Sequence, residues 1–232
     1  MIRRQIPNLI TLGNLLCGVI AIAAALRGDL TGASLMICLG IFLDFFDGLA
    51  ARLLNVASPL GKELDSLSDV VTSGVAPGFI LWNILSNGVG EKWPEFLPYT
   101  ALLIPLFAAY RLAKFNIDSR QSHSFLGLPT PANALIWVGV ALTPALPMDE
   151  LTFIIALIAI SLVTDVLMVS ELPMFSLKFN FKEMSWKSNS VQYLFFIGCA
   201  AIIVASRQWY AISLIILWYI ILSAITQKKH AE

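Results

Sequence analysis

The stretch from Asp44 to Asp69, DFFDGLAARLLNVASPLGKELDSLSD, places four aspartates in a chain that is otherwise strongly apolar. The 232 residues are 58% hydrophobic and 13% charged, and the mean hydropathy is +0.79. An average soluble domain carries about 25% charged residues, so this composition indicates an integral membrane protein. Because ionised groups are costly inside a bilayer, four carboxylates in such a chain indicate a functional site.

The apolar residues fall into eight segments long enough to cross a bilayer, whose ~30 Å core needs roughly 20 residues of helix. These segments are predicted at about 7–26, 32–54, 63–86, 97–117, 130–147, 149–170, 189–206 and 208–226. The predicted fold class is therefore an all-α integral membrane protein with about eight transmembrane helices. Residues 1–232 are predicted to form a single domain, and the first segment is predicted to be retained because it lacks a clean signal-peptide cleavage site.

The basic residues are distributed unevenly between the predicted connections. Eight spans place both termini on one side, and that side then holds all but three of the 15 lysines and arginines, the exceptions being Arg27, Lys92 and Arg207. Since cytoplasmic loops are enriched in basic residues, both termini and the aspartate-rich stretch are predicted to be cytoplasmic. The formal net charge is zero, and no nucleic-acid partner is expected.

The four aspartates are spaced so that they form two pairs. Residues three or four apart share a face of a helix, so Asp44 pairs with Asp47 on the second span and Asp65 pairs with Asp69 on the third. The connection NVASPLGKE is short, which predicts that these spans are antiparallel neighbours. The four carboxylates are therefore expected to converge at the cytoplasmic end of the two spans.

Clustered carboxylates repel one another unless a cation lies among them, and a hard divalent ion is the simplest candidate. Two such ions would form a clamp for a phosphoryl or pyrophosphate group. Gly48, Ala51 and Gly61 are small enough to let a ligand approach the backbone, and Arg52 could bind a phosphate oxygen or neutralise part of the cluster. The alternative is that the aspartates are solvated at helix ends or paired with arginines, which explains one aspartate more readily than four.

The order Asp44-x2-Asp47-Gly48-x2-Ala51-Arg52-x8-Gly61-x3-Asp65-x3-Asp69 resembles the signature of the CDP-alcohol phosphatidyltransferases. The resemblance implies a catalytic core of six transmembrane helices at about 7–170, extended here by two helices at about 189–226. It also implies a homodimer, and a reaction in which an alcohol displaces CMP from a CDP-linked lipid with the help of two divalent cations, Mg²⁺ or Mn²⁺.

The resemblance assigns roles to the motif residues by position. The implied metal ligands are Asp44, Asp47, Asp65 and Asp69, and Asp69 is also the implied catalytic base. The residues implied to shape the pocket for the CDP-lipid are Gly48, Ala51, Arg52 and Gly61. A carboxylate close to the acceptor hydroxyl would take its proton during direct in-line displacement.

Other segments are similar to the phosphatidylserine synthase branch of this family, namely NLITLGNLLCG, YRLAKFNID, FLGLPTPANA and LMVSELPMFSLK. That similarity implies an enzyme of phospholipid biosynthesis in the cytoplasmic membrane. Its donor would be CDP-diacylglycerol or an archaeal CDP-lipid, since an apolar groove accepts either kind of chain. Its acceptor would be L-serine.

Cations near the fourth span are candidates for binding the carboxylate of serine. Arg111 and Lys114 are three residues apart, and Arg120 lies in the following loop. The alternative is that all three reflect only the positive-inside rule, although Arg111 lies deeper in the apolar run LIPLFAAYRLAKF.

Polar residues on the first span recur at a spacing of three. Asn8, Thr11 and Asn14 could line the nucleotide site, and Asn8 and Thr11 are predicted to bind the CDP-lipid. Hydrogen bonding between helices is the alternative interpretation. Asp165 is an isolated acid within the sixth span, and the sequence indicates no partner for it.

Two other functions are compatible with parts of this pattern. A transferase of the same family could use glycerol phosphate or an inositol phosphate, although a phosphorylated acceptor should need a more basic pocket than YRLAK provides. A divalent-cation transporter could use the aspartates as a permeation site. The glycines and Arg52 within the motif count against a transporter.

Overall fold

The computed structural model describes residues 2–88, 94–118, 125–143, 149–175 and 186–228. The α-helices are α1 (Ile2–Leu26), α2 (Leu30–Leu53), α3 (Pro59–Asp69), α4 (Ala76–Gly88), α5 (Leu103–Ile117), α6 (Thr130–Ala141), α7 (Glu150–Val169), α8 (Trp186–Ser206) and α9 (Ala211–Lys228). A π-helix, Val70–Val75, joins α3 to α4, and a 3-10 helix, Leu97–Leu102, leads into α5. If α3, the π-helix and α4 are counted as one segment, the described chain contains eight helical segments, of which α8 is kinked at Asn189. The all-α prediction is confirmed.

The helices have the length and surface of a membrane protein. Four described segments are long and apolar enough to cross a membrane: Gln5–Leu26, Leu30–Leu53, Glu150–Val169 and Asn189–Ser206. Two shorter apolar helices are Thr130–Ala141 and Ala211–Thr226, and the end of the fifth predicted span, 144–147, lies outside the described residues. Large apolar side chains such as Phe45 (61% exposed) and Val204 (70% exposed) face outward, as expected where lipid replaces water.

Side-chain caps fix where several helices begin. Ser58 Oγ accepts a hydrogen bond of 3.1 Å from the Gly61 backbone N–H, and Pro59 occupies the first turn of α3. Asn55 has a φ of 52° just after α2 and so turns the chain between the two helices. Only the first four residues of the segment NVASPLGKE form a loop, because α3 begins at Pro59.

α1 is the central helix at the motif end of the molecule. It packs against α2, α3, the π-helix and α4, whereas α2 contacts the third helical segment mainly at the π-helix and α4. The second and third predicted spans are therefore neighbours, as predicted, but they meet where α2 packs on the π-helix and α4 and not at the motif. At the motif end, α1 rather than α2 is the main neighbour of α3, which leaves open space between α2 and α3.

The C-terminal helices complete the bundle. α9 packs on α6, where Ser213 Oγ donates a hydrogen bond of 2.7 Å to the Ile136 carbonyl. Two short strands, β1 (Phe125–Leu126) and β2 (Pro173–Met174), pair antiparallel and were not predicted. They connect the segment before α6 to the end of α7, and so help to position the beginning of α6.

Candidate active site

The structure brings the motif carboxylates together from two helices. Asp44, Asp47 and Asp65 each contribute one oxygen to a group of atoms that all lie within 4.8 Å of one another. Asp69 is not part of that group of three, but its carboxyl group interacts with that of Asp44. The side chains of Asp47 and Asp69 are buried, at 5% and 9% exposure, so the cluster lies inside the bundle.

The three clustered carboxylates fit a divalent cation. They supply hard oxygen ligands from two directions, which suits Mg²⁺ or Mn²⁺ rather than a metal that prefers sulfur. Their mutual repulsion at this separation would be relieved by a cation held between them. Among the aspartates, glutamates, histidines and cysteines of the described chain, these three aspartates form the group close enough to share an ion.

Side chains of α1 hold two of the aspartates. Thr11 Oγ1 donates a hydrogen bond of 2.6 Å to Asp47 Oδ2, and Asn14 Nδ2 donates one of 3.3 Å to Asp69 Oδ1. Thr11 and Asn14 are three residues apart and therefore share one face of α1. This face meets α2 through Asp47 and α3 through Asp69.

A cavity of about 320 Å³ lies between α1, α2 and α3, and we call it the donor cavity. Its lining includes all six residues that the sequence assigned to the CDP-lipid: Asn8, Thr11, Gly48, Ala51, Arg52 and Gly61. A Cβ atom at Gly61 would lie 3.3 Å from Asn8 Oδ1, so a larger residue would narrow the cavity. Arg52 Nε donates to the Gly48 carbonyl at 3.0 Å, which places the guanidinium along the wall of α2.

A second cavity of about 190 Å³ lies between α3, α5 and the start of α6, and we call it the acceptor cavity. Arg111 lines it, is 7% exposed, and donates from Nη1 to Thr130 Oγ1 at 3.3 Å. Its guanidinium carbon lies 5.4 Å from the centre of the Phe115 ring. Asp65 and Asp69 also line this cavity, so a buried cation and two carboxylates face the same space.

Lys114, the second cation predicted for the acceptor, is not among the described residues that line this cavity. Lys114 Nζ donates to the Val169 carbonyl at 3.3 Å and lies 3.6 Å from Glu171 Oε1, so it connects α5 to the end of α7. Arg120 lies outside the described residues. Asp165 is fully buried in α7, where Ser161 Oγ lies 3.4 Å from its Oδ2.

Lys62 is a residue of the site that the sequence interpretation missed. It lines both cavities, and its Nζ donates to the Asn116 carbonyl at 3.0 Å. Asn116 in turn donates from Nδ2 to Ser66 Oγ at 2.8 Å, which joins the end of α5 to α3. The sequence could have indicated Lys62, because a spacing of three residues places the side chains of Lys62 and Asp65 on one face of α3.

Comparison with known proteins agrees with this geometry. The sequence profile of the CDP-alcohol phosphatidyltransferase family matches residues 4–178. The chain is 40% identical over 138 residues to the CDP-diacylglycerol–serine O-phosphatidyltransferase of Bacillus subtilis, covering 60% of this chain and 76% of that protein.

Two further relatives carry the same name. The protein of Helicobacter pylori is 37% identical over 134 residues, which cover 57% of this chain and 55% of that protein. The protein of Methanocaldococcus jannaschii is 37% identical over 134 residues, which cover 58% of this chain and 59% of that protein. The match therefore spans little more than half the length of these two relatives. Because the family profile covers well over half of the chain, this protein belongs to the CDP-alcohol phosphatidyltransferase family.

Proposed function

We propose that the protein transfers the phosphatidyl group of CDP-diacylglycerol, or of an archaeal CDP-lipid, to the hydroxyl of L-serine. The products would be CMP and phosphatidylserine, which makes the protein an enzyme of phospholipid biosynthesis. The observation that carries the proposal is the meeting of two cavities at Lys62 and Asp65, both of which line each cavity. The names of the relatives support serine as the acceptor.

The donor cavity suits a nucleotide linked to a diphosphate. Its small residues, Gly48, Ala51 and Gly61, let a bulky ligand approach the helix backbones. Arg52 can bind phosphate oxygens with its guanidinium group, and Asn8 can hydrogen-bond the nucleotide. The diphosphate would then lie beside Asp47 and Asp65, which line the same cavity.

The acceptor cavity suits a small zwitterion. Arg111 and Lys62 can bind a carboxylate, while Asp65 and Asp69 can accept hydrogen bonds from an ammonium or hydroxyl group. Glycerol phosphate or an inositol phosphate would bring a doubly charged phosphate towards those two carboxylates. The balance of two cations and two carboxylates therefore favours serine over a phosphorylated acceptor.

The reaction we propose is a direct displacement at the phosphorus atom bonded to the lipid. The serine oxygen forms the new bond to phosphorus, the bond from phosphorus to CMP breaks, and Asp69 takes the hydroxyl proton. The residues that would hold the divalent cations are Asp44, Asp47, Asp65 and Asp69. When bound, such cations neutralise charge on the phosphates and make CMP a better leaving group.

The same proposal includes a location and an assembly. We place the active site at the cytoplasmic face of the cell membrane, with both termini on that side, because the basic residues predict this orientation. We also propose that the chain forms one catalytic domain and that it works as a homodimer. Surrounding membrane lipids would contact its exposed apolar helix faces.

The test is an assay across donors and acceptors. Purified protein supplied with CDP-diacylglycerol, labelled serine and Mg²⁺ or Mn²⁺ should release CMP and form a serine lipid. A parallel reaction with an ether-linked CDP-lipid tests the donor. Consumption of glycerol phosphate or inositol phosphate in place of serine would show that the acceptor is wrong. Metal flux into vesicles without any CDP-lipid would support the transporter alternative instead.

A further inference from the structure

We propose that Asn14 is a positioning residue that orients the carboxylate of Asp69 for proton transfer. The inference rests on the proposed function, in which Asp69 is the base. Asn14 is fully buried in α1, and its Nδ2 donates a hydrogen bond of 3.3 Å to Asp69 Oδ1. This bond restricts rotation of the Asp69 carboxylate, and Asp69 lines the acceptor cavity, where the serine hydroxyl is proposed to bind.

The surroundings of Asn14 restrict its side chain to one arrangement. A Cβ atom at Gly40 would lie 2.9 Å from Asn14 Oδ1 and 2.5 Å from Thr72 Cγ2, so only glycine in α2 leaves room for both side chains. A Cβ atom at Gly18 would lie 2.5 Å from Thr72 Oγ1. Close packing of this kind holds a polar side chain in a single rotamer, as a precise catalytic geometry requires.

The backbone of α1 is fixed against the third helical segment by two hydroxyl groups. Ser68 Oγ lies 3.2 Å from the Thr11 carbonyl oxygen, and Thr72 Oγ1 donates to the Asn14 carbonyl at 3.0 Å. These contacts lie on either side of Asp69, at the point where α3 passes into the π-helix. Such π-helical turns are frequent at functional sites. Asn14 is therefore held at both its backbone and its side chain.

The chemistry of the pair also favours an orienting role. An amide donates a hydrogen bond without carrying a charge, so it fixes the carboxylate while leaving it free to act as a base. Asn14 Oδ1 has no hydrogen-bond partner within the described chain. A flipped amide would direct that oxygen at the carboxylate of Asp69 and would lose the bond, so the observed orientation is the favourable one.

The test compares Asn14→Leu with a matched control, Asn83→Leu. Asn83 lies in α4, is 9% exposed, and accepts a hydrogen bond of 2.9 Å from Asn87 Nδ2. Both variants remove one amide that bonds to another side chain, but only Asn14 contacts Asp69. In Asn14→Leu, kcat for CMP release should fall about 10- to 100-fold, because a misplaced base slows the chemical step.

Two readouts separate positioning from a loss of structure. The KM values of Asn14→Leu for serine and CDP-lipid should stay within about twofold of the wild type, since Arg111, Lys62 and the lining of the donor cavity are unchanged. The solvent deuterium isotope effect on kcat should increase, because proton transfer becomes more strongly rate-limiting. The control should match the wild type in kcat and isotope effect, and thermal unfolding in detergent should be similar for both variants.

Two results would overturn the proposed positioning role of Asn14. An unchanged kcat in Asn14→Leu, or a fall no larger than that of the control, would overturn the positioning role. An infrared comparison without substrate gives a second decision, since the carboxylate bands should change in Asn14→Leu and not in Asn83→Leu; identical spectra would also overturn it. If the wild type ignores serine but uses another alcohol, the proposed acceptor fails, and Asn14 is judged with that alcohol.

Discussion

At the scale of single residues, Asp69 is set apart from the other motif aspartates by its partners. It accepts the hydrogen bond from Asn14, whereas Asp47 accepts one from Thr11, and it shares the acceptor cavity with Asp65. We expect Asp69→Asn to lower CMP release by about 10²- to 10⁴-fold, because an amide cannot take the serine proton. The rate of CMP release from CDP-lipid in the presence of serine measures this loss, and thermal unfolding shows whether the variant is folded.

The matched control for Asp69→Asn is Asp29→Asn. Asp29 caps α2 by accepting a hydrogen bond of 2.8 Å from the Gly32 backbone N–H, and asparagine caps helices equally well. This control should retain wild-type activity. If Asp69→Asn keeps a rate close to that of Asp29→Asn, another group must act as the base.

A second prediction at this scale concerns metal dependence. Thr11 Oγ1 donates the 2.6 Å hydrogen bond to Asp47 Oδ2, so Thr11→Val should leave a triad carboxylate less well oriented. Loss of such a partner typically weakens metal affinity about 10- to 100-fold, and we expect the Mg²⁺ concentration for half-maximal activity to rise accordingly. Titration of activity with Mg²⁺ measures this shift.

Thr143→Val is the control for Thr11→Val. Thr143 Oγ1 donates a 2.6 Å hydrogen bond to the Gly139 carbonyl at the end of α6, away from the motif. Its Mg²⁺ dependence should equal that of the wild type. An equal shift in both variants would indicate a general effect of threonine loss and would contradict a link between Thr11 and the metal.

At the scale of helices, the approach of α1 to the π-helix depends on Gly18. A Cβ atom there would lie 2.9 Å from the Thr72 Cα atom, and the backbone cannot move aside as a side chain can. Overpacking of this kind costs about 1–3 kcal/mol, so Gly18→Ala should lower the free energy of unfolding by that amount. Unfolding in mixed micelles measures it.

Gly88→Ala provides the comparison for Gly18→Ala. The nearest atom to a Cβ at Gly88 would be Ile154 Cδ1 at 4.0 Å, which is ordinary contact. We therefore expect this variant to unfold as the wild type does. Equal stability of the two alanine variants would mean that α1 and the π-helix can separate without cost.

At the scale of the whole molecule, α8 and α9 lie beyond the residues matched by the family profile, 4–178. α9 nevertheless packs on α6, which carries the Thr130 partner of Arg111. Tyr219 of α9 donates a hydrogen bond of 3.1 Å from its hydroxyl to the Phe175 carbonyl. The C-terminal helices thus support the side of the bundle that contains the acceptor cavity.

This contact gives a prediction for the stability of the assembled bundle. Tyr219→Phe removes the buried hydroxyl group and its hydrogen bond to the Phe175 carbonyl. This loss should lower the free energy of unfolding by about 0.5–1.5 kcal/mol. Tyr110→Phe, at a side chain that is 63% exposed, should have no measurable effect. A Tyr219→Phe variant as stable as Tyr110→Phe would show that the hydroxyl contributes nothing to docking of α9.

Local spacing in the sequence was sufficient to predict the helical segments and the pairing of the aspartates within each helix. Helical periodicity depends on near neighbours in the chain, so the pairs Asp44 with Asp47 and Asp65 with Asp69 follow directly from it. The order of glycine, alanine and arginine around these acids is equally local, and it is enough to indicate the family.

Only the tertiary structure decided which helix faces meet. Arg111 and Lys114 are equivalent by spacing, yet one lines the acceptor cavity and the other bonds to the end of α7. Asn14 reaches Asp69 across 55 residues of sequence, because α1 rather than α2 lies against α3. Periodicity specifies the face of a helix on which a residue lies, but long-range packing determines what that face contacts.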